Sequence, residues 1–125
     1  MLDERYYKGF WGENEVRLWV EKDGEEYGLS IWCGFFDTIM EGCFRPYPSP
    51  NGMVWCWQYC EGFYNNKWEV PDPTILLQEL NLFDPQKLEE TRHNLIKESE
   101  EVRTLMISFI SEATKNGQKI YMEYM

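Results

Sequence analysis

The sequence predicts an α+β fold: a mainly antiparallel β-sheet packed on one face by a short helix and a long C-terminal helix. The sheet comes from the N-terminal half, with a C-terminal strand able to join it. Three observations predict this. Residues 16–35 alternate apolar and polar around Asp23-Gly24, residues 72–117 switch to helical spacing, and residues 119–124 alternate again. Strands first and helices later place the helices on one side of an antiparallel sheet. A chain of 125 residues, 43% hydrophobic and 17% aromatic, suits one domain over 1–125 with one core.

The first element is a hairpin. Val16, Leu18 and Val20 alternate with Arg17, Trp19 and Glu21, and Asp23-Gly24 supplies a two-residue turn that tolerates positive φ. That turn forces the register: Val20 faces Tyr27, Leu18 faces Leu29, and Val16 faces Ile31. On the other face Trp19 meets Gly28 and Glu15 meets Trp32. The alternation continues through Cys33 and Phe35. Residues 37–52 read as an irregular crossover, with Pro46, Pro48 and Pro50 unable to donate to a ladder and a turn at Asn51-Gly52.

Met53 to Cys60 reads as a central strand, with Trp55, Trp57 and Tyr59 on one face and Val54, Cys56, Gln58 and Cys60 on the other. Phe63 to Val70 reads as its return, turning at Asn65-Asn66. Asp72-Pro73 then caps a short apolar helix over 73–81. Asp84-Pro85 repeats that start, and Asn116-Gly117 marks a stop. Leu88, Leu95, Val102 and Phe109 recur every seven residues between them. A continuous helix over 85–115 would be about 46 Å long, against about 36 Å for a compact chain of this size. It must bend, split or protrude, with its polar early half projecting or pairing with a second copy. Ile120, Met122 and Tyr124 point one way on the last strand.

Charge narrows the partners. The net charge is −10, and residues 1–83 hold fourteen acids and six bases against eight and six in residues 84–125. Such a field repels nucleic acid and anionic lipid and speeds encounter with a basic partner. No run reaches the roughly 18 apolar residues of a membrane span. The charged start, Met1-Leu2-Asp3-Glu4-Arg5, does not read as a secretory signal, so a cytoplasmic location and reduced thiols are expected.

Catalytic motifs are scarce. There is no phosphate-binding glycine loop and only one histidine, His93, which falls among charged residues. Cys56 and Cys60 make one loose pair, but on a strand they would stand about 13 Å apart, too far for one zinc or a disulfide. No metal site and no cofactor are expected. An enzyme using a cysteine or His93 is the remotest alternative.

Binding remains. Six Trp, eight Tyr and seven Phe are many for one small core, so some rings should serve as interface anchors. The candidate surface is the sheet face bearing Trp19 and Trp32, with Glu15, Arg17, Glu21 and Glu26 around them. Rings would supply affinity and carboxylates would steer a basic partner. The expected function is a non-enzymatic acidic inhibitor of the bacterial immunity protein or antitoxin type, masking a basic toxin domain, with a homodimer as one assembly. The alternative is a small-molecule binder with an aromatic pocket between the sheet and the 37–52 loop, using Arg45, Tyr47, Trp55 and Trp57.

Overall fold

The computed structural model describes residues 1–59 and 67–125. Its strands are β1 (Leu2–Asp3), β2 (Glu15–Lys22), β3 (Glu25–Trp32), β4 (Trp68–Glu69) and β5 (Tyr121–Tyr124). Its helices are α1 (Cys33–Gly42), α2 (Met53–Tyr59), α3 (Pro73–Leu80) and α4 (Ile96–Lys115), with 3₁₀ turns at Pro85–Lys87 and Glu90–Leu95. The sheet runs β1-β3-β2-β5-β4; β1 is parallel to β3 and every other pair is antiparallel. The α+β class is as the sequence predicts, and no helix among the described residues is long and apolar enough to cross a membrane.

The hairpin has the forced register, including Trp19 opposite Gly28 and Glu15 opposite Trp32. Asp23 and Gly24 both take positive φ, 53° and 79°, as a mirror-image two-residue turn requires. The inner face carries Val16, Leu18, Leu29, Ile31 and Met122, all buried. The same core takes in Phe36, Ile39 and Met40 of α1, Leu76 and Leu80 of α3, and Val102, Met106 and Ile110 of α4. Each such side chain contributes about 1.5–3 kcal/mol by leaving water.

Three expectations need correction. The strand alternation stops at Trp32, the partner of Glu15 at the start of β2. The Trp32 and Cys33 N–H groups donate instead to the carbonyls of Tyr6 and Asn14, at 2.9 and 3.0 Å. Residues 33–42 then form α1, whose buried Phe35, Phe36, Ile39 and Met40 recur at helical spacing. Only 43–52 stays irregular.

Met53–Tyr59 is helix α2, not a strand. Its buried residues, Met53, Val54 and Cys56, fit either period over so short an apolar run. Tertiary contact decides: the Glu79 carboxylate of α3 accepts the N–H groups of Met53 at 2.7 Å and Val54 at 3.3 Å. Two of the donors that a helix start leaves unpaired are thus satisfied. Cys60 and the expected turn at Asn65-Asn66 lie outside the described residues, while Trp68–Glu69 does form a strand.

The expected 85–115 helix splits, one of the three outcomes its length required. Its early part does not project. Leu88 is buried, Arg92 Nε lies 2.7 Å from Glu41 Oε2, and the Glu89 N–H donates to Glu41 Oε1 at 3.0 Å. Both ends of the helical region match the sequence signals. Asp72 accepts the Thr74 N–H at 3.0 Å. Gly117, at φ 66°, ends α4, with its N–H donating to Thr114 and that of Gln118 to Ala113.

Candidate functional site

The outer sheet face follows from the register, because cross-strand partners share a face. Arg17 stands between Glu123 and Ser30, Trp19 between Tyr121 and Gly28, and Glu21 opposite Glu26. Glu69 is the partner of Tyr121 from β4. Sequence reasoning thus brings Glu15, Arg17, Trp19, Glu21 and Glu26 onto one surface, and the structure adds Glu69, Tyr121 and Glu123.

The carboxylates there are partly compensated. Arg17 reaches Glu15 at 3.4 Å and Glu26 at 3.9 Å, and Ser30 donates to Glu15. Lys67 lies 3.0 Å from Glu21 and 4.3 Å from the Tyr121 ring centroid. Lys67 holds the Glu21 carboxyl below its usual value, and Glu21 raises Lys67 in turn. Lys119 stands 3.9 Å from Glu69. Five acids therefore meet three bases.

The rings are placed differently from expectation. Trp19 is on this face but only 2% exposed, with its ring 5.9 Å from that of Tyr121. Gly28 opposite it is required by close approach: a Cβ there would stand 2.0 Å from the Leu18 carbonyl oxygen. Trp32 is half-buried at the sheet end. Phe10 stacks on it at 4.0 Å and 8°, its indole lies where a Gly34 Cβ would be, and its Nε1 donates to Glu13 at 3.1 Å. The indole open to solvent is Trp11, 61% exposed, which the sequence reading did not single out.

The wall that Trp55 and Trp57 were expected to supply from a strand is helix α2. A groove of about 630 Å³ opens between the end of α1, α2 and the first 3₁₀ turn, lined by Glu41, Phe44, Pro46, Trp57, Gln58 and Lys87. Trp57 alone of the four predicted ligand residues lines it. Arg45 and Tyr47 border a separate hollow of about 90 Å³ near Glu79. Trp55 lines neither and packs 5.3 Å from Tyr59. Trp57 Nε1 donates to Asp37 Oδ1 at 3.0 Å, and burial raises the Asp37 pKa. Asp37, Glu41, Phe44 and Lys87 carry no motif. They meet through the α1 helix and the 3₁₀ turn, which the sequence pattern did not reveal.

Among the described residues, neither Cys33 nor Cys43 carries an activated thiol. Burial raises the Cys33 thiol and pushes that of Cys43 up to about 12, the direction opposite to an activated nucleophile. Cys56 is buried and His93 is exposed on the second 3₁₀ turn. No group of three or more metal-ligating side chains occurs among the described residues.

The chain matches no family model, no curated protein and no solved structure.

Proposed function

We propose that the chain is a non-enzymatic binding protein that docks a basic protein on the outer face of its sheet. The carrying observation is the excess of carboxylates there: Glu15, Glu21, Glu26, Glu69 and Glu123 against Arg17, Lys67 and Lys119. In a chain of net charge −10, that face draws cations from a distance and aligns them on arrival. The buried Trp19 acts as a rigid floor under the acids rather than as an inserted anchor. An immunity protein or antitoxin that masks a basic toxin domain is the concrete form of this reading. Raised thiol pKa values and an exposed lone histidine support the non-enzymatic part.

The test is affinity capture from an extract of the protein's own host at low salt, beside a variant carrying Glu21→Lys and Glu26→Lys. The expected result is a basic protein held by the parent chain, released by added salt and not held by the variant. A captured set without a basic protein, or one indifferent to charge reversal, overturns the reading.

A second reading rests on the groove of about 630 Å³ at Trp57, which has the size and apolar walls of a small-ligand site.

A further inference from the structure

We propose that the groove between the end of α1, α2 and the first 3₁₀ turn binds a flat, apolar small molecule that carries an anionic group. This deepens the ligand reading above and is independent of the basic-partner reading.

The walls argue for a flat apolar body. Phe44, Pro46 and Trp57 face a space of about 630 Å³, inside the range of about 300–1,000 Å³ common to small-ligand sites. The Trp57 ring is fixed before any ligand arrives, because its N–H is held by Asp37 at 3.0 Å. A wall that is already ordered loses little freedom on binding.

The rim argues for the anion. Of its polar groups, Glu41 is engaged twice, by Arg92 at 2.7 Å and by the Glu89 N–H at 3.0 Å. Asp37 is not among the groove's lining residues and accepts the indole N–H. Lys87 has no ion pair among the described residues. Its ammonium donates to the Phe44 carbonyl at 3.1 Å, which holds it at the mouth with two further N–H donors to offer. Arg92 and Glu41 cancel one another, so the uncompensated side chain at the mouth is a cation. Gln58 adds an amide on the same rim. A neutral flat molecule would use the walls alone, whereas an acid also gains the ammonium.

The test uses anilinonaphthalene sulfonate and phenylnaphthylamine, two fluorescent probes with the same rings, of which only the first is charged. Titration of the full chain is expected to give saturable one-to-one binding, tighter for the sulfonate by about fivefold, the scale of a partly exposed ion pair. Lys87→Gln should erase that preference. Phe44→Glu, at a position 38% exposed, should abolish binding of both probes. Circular dichroism and thermal melting check that each variant is folded, and Pro46→Glu replaces Phe44→Glu if the latter melts early. No saturable binding, or binding that survives the blocking variant, overturns the site and with it the ligand reading. Equal affinities, or a preference that survives Lys87→Gln, overturn the anionic class while leaving the site.

Discussion

Glu79 and Met53, twenty-six residues apart, are joined by a 2.7 Å hydrogen bond from the Met53 N–H to a buried carboxylate. The same carboxylate takes the Val54 N–H, and it lies where a Gly52 side chain would be. One acid on α3 thus starts α2 and closes the prolyl loop before it.

Glu79→Ala leaves two buried N–H groups without an acceptor. A loss of about 1–3 kcal/mol is expected, read from urea unfolding. The pH dependence has a definite sign. Burial raises the folded-state pKa of Glu79 above the unfolded value of 4.5, so the folded state holds this proton more firmly. The associated stability is complete below the unfolded value and lost as pH rises through the raised one. Glu79→Gln should remove that downward step, so that parent and variant stabilities diverge as pH climbs from 4.5.

Gly28→Ala tests the close approach of β2 and β3. The new methyl would stand 2.0 Å from the Leu18 carbonyl and 2.7 Å from the Trp19 Cα, both main-chain atoms that cannot swing aside. A cost of about 1–3 kcal/mol or more is expected from overpacking. Trp19 fluorescence should change with it, and a variant as stable as the parent would refute the contact.

Lys67 and Glu21 give the opposite pH sign. The depressed Glu21 pKa means its stabilising contribution is present above the unfolded value and lost as pH falls through the folded one. Lys67→Met should return the Glu21 pKa toward its ordinary value, as NMR titration would report. The pair is exposed, so high salt should produce much of the same shift in the parent protein.

Cys43 should resist alkylation. With its thiol pushed up to about 12 and its side chain buried, iodoacetamide at neutral pH is expected to modify it only after denaturant is added. Fast labelling in the native protein, mapped to Cys43 by mass spectrometry, would contradict the burial and revive thiol chemistry.

The legible parts of the fold were those where local chemistry is self-sufficient. Asp23-Gly24 fixes both a turn and a register, Asp72-Pro73 fixes a helix start, and Gly117 fixes a stop. None needs a distant partner. The parts misread were those decided elsewhere in the chain. Met53 to Tyr59 is helical because Glu79 receives its first amides, and the passage from β3 into α1 is held by the carbonyls of Tyr6 and Asn14. The site followed the same division. The register that makes Glu15, Arg17, Trp19 and Glu21 neighbours on one face follows from period two by itself, but the ring of Trp19 is only 2% exposed beside Tyr121. The groove was illegible, since Phe44, Trp57 and Lys87 meet only after three separate segments pack.

The position of β5 between β2 and β4 also bears on synthesis. During translation the hairpin emerges early with the long edge of β2 unsatisfied, and residues 121–124 follow only after α1 to α4 have been made. Until they do, Val16 to Trp19 offer bare amides and carbonyls to any passing strand. A chain cut after Lys119 should therefore clump, as light scattering would reveal, whereas the full chain should stay dispersed.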